Sequence, residues 1–96
     1  MAGEPQKVVG AQIRAARGLL NMSAQELADL AKLSRGTVQR AELETAPVTT
    51  ANGERIIETL EKQGIIFLPA NGEGPGVRLR KHAREERKGT QNAIRR

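Results

Sequence analysis

Apolar residues recur at helical intervals in the first part of the chain. Val9, Ile13, Ala16 and Leu20 are spaced by four, three and four, which puts them on one stripe of a helix predicted from Pro5 to about Leu20. Lys7, Arg14 and Arg17 fall off that stripe. Gly18 weakens its last turn and Asn21 marks the exit. Ser23-Ala24-Gln25-Glu26 then forms a Ser-x-x-Glu capping box, in which hydroxyl and carboxylate each satisfy the other's backbone amide. It opens a short helix to about Ala31, with Leu27, Leu30 and Ala31 expected to face inward. Lys32-Leu33 reads as a tight turn. Ser34 caps a third helix from Arg35 to Glu42 or Leu43, with Val38 and Ala41 inward.

Residues 44–49 break the periodicity, and Pro47 biases its predecessor away from helix. Thr49 or Thr50 caps a fourth helix to about Gln63, whose apolar side is Leu60 with Ile56 or Ile57. Gly64 stands where a left-handed residue ends a helix. Ile65-Ile66-Phe67-Leu68 is β-prone, and Val77-Arg78-Leu79-Arg80 alternates apolar and basic with period two. The intervening Pro69-Ala70-Asn71-Gly72-Glu73-Gly74-Pro75-Gly76 is built of turn residues, so the pair predicts a β-hairpin with a long loop. The fold class is therefore mostly α: four helices followed by a C-terminal hairpin. The expected organisation is a helical domain over 5–63, a hairpin extension over 64–81 and a basic tail over 82–96.

Composition narrows the chemistry. The chain has 96 residues, a formal charge of +5, no cysteine, one histidine and one aromatic residue, Phe67. Absent cysteine excludes a disulfide scaffold and a thiolate metal site. His82 lies among Arg80, Lys81 and Arg84, where neighbouring positive charge makes it a poor base or ligand. No catalytic residue, metal site or cofactor is expected. The first residues lack a signal-peptide pattern, and no apolar run approaches the ~18–20 residues of a membrane span. The expectation is a cytoplasmic protein without membrane contact.

The positive charge points to an anionic partner, nucleic acid first, but it is unevenly placed. Residues 77–96 hold eight basic and two acidic residues, a net of +6, whereas residues 1–76 hold eight and nine, a net of −1. Recognition by the helical part must therefore rest on a few placed side chains.

Two capped helices joined by a short turn, inside a four-helix unit, form a helix-turn-helix layout. The runs Ile13-Arg14-Ala15-Ala16-Arg17, Ser23-Ala24-Gln25-Glu26-Leu27-Ala28 and Leu33-Ser34-Arg35-Gly36-Thr37-Val38-Gln39-Arg40-Ala41-Glu42 resemble the phage-repressor/Cro-like helix-turn-helix family, often called XRE, over about residues 8–63. The resemblance implies that the third helix enters the DNA major groove, with base-reading positions at Arg35, Gly36, Thr37, Gln39 and Arg40. Side-chain chemistry agrees: Arg pairs with guanine O6 and N7, and Gln with adenine N6 and N7. Arg14, Gln25, Lys32 and Ser34 are the expected phosphate contacts, with Arg78 and Arg80 of the hairpin as further ones. The family's arginine–glutamate pair falls on Arg17 and Glu42, a structural role. The sequence departs from the family pattern at Ala24, where the family commonly has a phosphate-bracing Gln, at Lys32, where it usually has Gly, and at Glu44.

The resemblance implies a sequence-specific, double-stranded-DNA-binding transcriptional regulator, acting as a homodimer on a near-palindromic operator. A domain this small has a marginal core, which also favours a dimer. The hairpin could pair across a two-fold, or lay Arg78 and Arg80 along phosphates. The alternative is an antitoxin-type module that binds DNA and a small protein partner. A single-strand binder is disfavoured because it needs aromatic stacking platforms.

Overall fold

The computed structural model describes residues 7–81. Four helices run α1 (Gly10–Leu20), α2 (Ala24–Ala31), α3 (Arg35–Glu42) and α4 (Ala51–Lys62), followed by strands β1 (Ile65–Leu68) and β2 (Gly76–Leu79). The predicted tail over 82–96 lies outside the described residues.

Local chemistry starts and stops these helices. Ser23 Oγ accepts from the Glu26 amide at 3.0 Å and the Glu26 carboxylate accepts from the Ser23 amide at 2.8 Å, so the capping box forms as expected. Ser34 Oγ accepts from the Thr37 amide at 3.1 Å. Of the two threonines before α4 it is Thr50 that caps, accepting from the Gly53 amide at 3.0 Å. Two non-glycine residues take left-handed backbone at helix exits, Asn21 (φ 55°) and Lys32 (φ 60°). Each is followed by an amide that reaches five residues back, Met22 to Arg17 and Leu33 to Ala28, which satisfies carbonyls the helix end leaves open. Gly64 (φ 104°) closes α4 in the region that suits glycine.

α1 begins five residues later than the apolar periodicity predicts. Tertiary hydrogen bonds hold the preceding segment extended: the Val8 carbonyl accepts from Val48 at 2.7 Å, and the Gly10 amide donates to the Glu44 carbonyl at 3.1 Å. Gly10 is pressed against the end of α3, where an added Cβ would collide with the Ala41 and Glu42 carbonyls. Val9 becomes the residue before the helix, and Val8 takes the buried place.

A continuous core joins the helices to the hairpin. Val8, Ile13, Ala16, Leu20, Leu27, Ala28, Val38, Ile56 and Leu60 pack with Ile65 and Phe67, and Val77 and Leu79 cover it. Ile56 is fully buried and Ile57 half-buried, which resolves that alternative. Leu30 does not face inward; it is 48% exposed. Leu27, Ala28 and Ala31 are the buried residues of α2, and at 100° per residue Leu30 lies well off the arc they define.

The hairpin is antiparallel, with Ile65 opposite Leu79, Ile66 opposite Arg78, Phe67 opposite Val77 and Leu68 opposite Gly76. The Arg80 amide extends the ladder to the Gly64 carbonyl at 2.7 Å. A short hairpin needs a surface to be stable, and Gln12 of α1 provides a polar anchor on it. Its Nε2 donates to the carbonyls of Gly76 (2.9 Å) and Leu68 (3.2 Å), while its Oε1 accepts from the Val9 amide (2.9 Å). Gln12 is buried, and these three hydrogen bonds are all to backbone.

Candidate nucleic-acid interface

α3 divides its side chains between core and solvent. Val38 and Glu42 are buried, whereas Arg35, Gln39 and Arg40 are exposed and Gly36 and Thr37 half-exposed. Eight residues make little more than two turns, so the exposed set forms one polar arc. Arg40 Nη2 donates to Thr37 Oγ1 at 3.4 Å, and Thr37 Oγ1 lies 2.8 Å from Ser34 Oγ. A ladder of polar groups thus runs along one side of the helix from its cap. Beside it, an open groove of about 320 Å³ separates Thr37 and Arg40 from Thr49, Thr50 and Asn52 before and at the start of α4.

The opposite side of α3 is tied to α1. Arg17 Nε and Nη2 donate to the two carboxylate oxygens of Glu42 at 2.5 and 3.0 Å, and Arg17 Nη1 donates to the Met22 carbonyl at 3.0 Å. The hydrogen bond that Arg17 donates to Glu42 raises the Arg17 pKa above its ordinary high value; burial opposes this and the carboxylate's charge adds to it. The expected pair therefore forms, and it fixes the rotation of α3 about its own axis.

The expected phosphate-binding residues are dispersed. Ser34 and Lys32 lie at the start of α3 and in the turn before it, both exposed. Gln25 in the first turn of α2 donates to Asp29 Oδ1 at 2.9 Å. Arg14 Nη1 donates to the Glu42 carbonyl, a placement in which its charge suits the negative end of the α3 dipole. Arg78 and Arg80 are not brought to the α3 surface. The hairpin packs on the flank of α1 that carries Gln12, whereas Arg14 and Arg17 face α3, and Gln12 and Arg14 lie about 200° apart around the helix. Gln12 itself went unforeseen because its partners lie 56 and 64 residues away and are carbonyls, which no residue identity marks.

A model of the helix-turn-helix family matches residues 13–64, more than half of the chain. The chain belongs to that family. This helix-turn-helix protein is a DNA-binding regulator of the Cro/repressor type, from a family that binds DNA rather than catalysing reactions. No curated protein matches it. The match starts one residue after Gln12 and ends one residue before β1. Among the described residues no helix is long and apolar enough to cross a membrane, and no group of metal-ligating side chains is assembled.

Proposed function

We propose that the protein is a transcriptional regulator that reads a specific double-stranded DNA sequence through α3, as a homodimer on a near-palindromic operator. The observation that carries this reading is the division of α3: one side locked to α1 through Arg17 and Glu42, the other presenting Arg35, Gln39 and Arg40 to solvent. A helix held in this way can enter a major groove with Arg and Gln at base edges. Thr37 and Gly36 complete the reading arc, Thr37 by its methyl and Gly36 by permitting close approach. Ser34 and Lys32 at its start, with Gln25 of α2 and Arg14 of α1, take phosphates. In the dimer, two copies of α3 lie about 34 Å apart, one helical turn of DNA.

The test starts with duplexes selected from a random pool by the purified full chain. Arg40→Ala should weaken binding to the selected sequence by about 1–3 kcal/mol and leave binding to random duplex nearly unchanged. Equal losses on both would remove Arg40 from base reading. Light scattering of the bound complex should give two chains per site; one chain per site would remove the homodimer.

A further inference from the structure

The cations of the hairpin occupy a face that the α3 reading does not use. Val77 and Leu79 of β2 turn onto the core, so Arg78 and Arg80 project together from the other face. Strand geometry spaces these alternate residues about 6.6–6.8 Å apart. Both are fixed by backbone: Arg78 opposite Ile66 in the register, Arg80 through its amide to Gly64. Among the described residues neither has a carboxylate within ion-pair distance, the one such pair being Arg17–Glu42. Exposed Lys81 follows directly, and from there the sequence continues into a segment rich in Arg and Lys. α1 stands between this face and α3. Arg78 and Arg80 thus belong to the hairpin on the flank of α1 that carries Gln12, and not to the flank that meets α3.

We propose that the outer face of β2, centred on Arg78 and Arg80, is a second nucleic-acid surface, and that it holds the phosphate backbone of a duplex segment other than the one read by α3. The occupant is a polyanion because the face offers an unneutralised row of guanidinium and ammonium groups, complementary to a row of phosphates. A second copy of the chain docked face to face would set arginines against arginines across the two-fold, which favours the phosphate backbone. The consequence is bridging: one molecule joins a sequence-specific contact to a sequence-independent one. The proposal rests on the α3 reading for the first contact only.

A two-duplex capture separates the surfaces. The full chain is loaded on an immobilised duplex of its selected sequence, and retention of a fluorescent random duplex is measured against salt. Wild type should retain the second duplex. Arg78→Ala/Arg80→Ala should load equally on the immobilised duplex but lose at least about tenfold of the retention, with the salt slope for retention falling by about 1.8, the value for two phosphate contacts. Arg78→Gln/Arg80→Gln, which keeps the side-chain length, should behave the same, with thermal unfolding checking that both variants fold. The proposal is overturned if loaded wild type retains no second duplex. It is overturned if the double variants retain it fully, if they weaken loading itself (which would place the hairpin on the same duplex), or if they convert a dimer to a monomer (which would make the face an interface between copies). Loss of sequence preference in wild type, with retention intact, would sink the α3 reading while leaving the hairpin surface standing.

Discussion

The Arg17–Glu42 pair gives the sharpest energetic expectation. In Arg17→Met, three charge-assisted hydrogen bonds disappear, two to Glu42 and one to the Met22 carbonyl, and Glu42, only 5% exposed, keeps its carboxylate without a partner. Breaking a buried pair from one side costs about 3–5 kcal/mol. The Arg17 side chain is 22% exposed, so water reaches the vacated space and the expected cost lies near the low end, about 3 kcal/mol. A chain of 96 residues has a total stability of about 5–14 kcal/mol. The change is therefore a large fraction, and it should lower Tm by about 12–24 °C. Glu42→Leu should cost less, about 1–2 kcal/mol, because Arg17 keeps its bond to the Met22 carbonyl and its head can turn to water. The double variant should come back to within about 1 kcal/mol of wild type, as apolar replacement of a whole buried pair is often near neutral. Urea unfolding followed by circular dichroism on all four proteins measures the cycle. If the double variant loses the sum of the two single losses, the two side chains act independently and the reasoning is wrong.

Three further outcomes follow from contacts of the same kind. Gln12→Ala removes both donors to the hairpin and should cost about 1–3 kcal/mol, with amide exchange accelerated at the hairpin before the helices; uniform acceleration across the chain would deny Gln12 a local role. Gly10→Ala drives a methyl into the Ala41 and Glu42 carbonyls, which are backbone and cannot turn aside. It should destabilise by about 1–3 kcal/mol, whereas Gly18→Ala, with open space around its Cβ position, should be neutral or stabilising. Lys32→Gly relieves left-handed backbone at the turn between α2 and α3 and should raise stability by up to about 1 kcal/mol; a loss would mean that the Lys32 side chain contributes more than its backbone strain costs.

What could be read from the sequence was what local chemistry decides. Ser23, Ser34 and Gly64 mark helix ends through bonds to residues three or four away, and the alternation of Val77 to Arg80 fixes which side chains of β2 face outward. The four-helix layout with its hairpin was legible for the same reason, whereas the Arg17–Glu42 pair was legible only through the family resemblance. The start of α1 was not, because Val8 and Gly10 are held by partners in the 44–48 segment, and tertiary hydrogen bonds overrode the apolar period. Leu30 misled because its identity says apolar while α2 packs through the arc of Leu27, Ala28 and Ala31, which Leu30 lies off. The base-reading set could be placed on one arc of α3, yet Arg78 and Arg80 could not be located relative to it: the sequence shows that they are basic and outward, and only the packing of the hairpin on α1 shows which side of the molecule they serve.

The seat of Val8 and the hairpin strands has a practical consequence for anyone cutting this gene. A fragment spanning only the matched residues 13–64 would lack Val8, Ile65 and Phe67, each at most 3% exposed in the intact chain, and would open the flank of Ile13, Ile56 and Leu60 to water. Such a fragment would keep every side chain of the exposed α3 arc and lose part of the floor beneath them. Expression vectors, fusion junctions and truncation series are therefore best drawn outside residues 8–80, with affinity tags placed before Lys7 or after the final arginine.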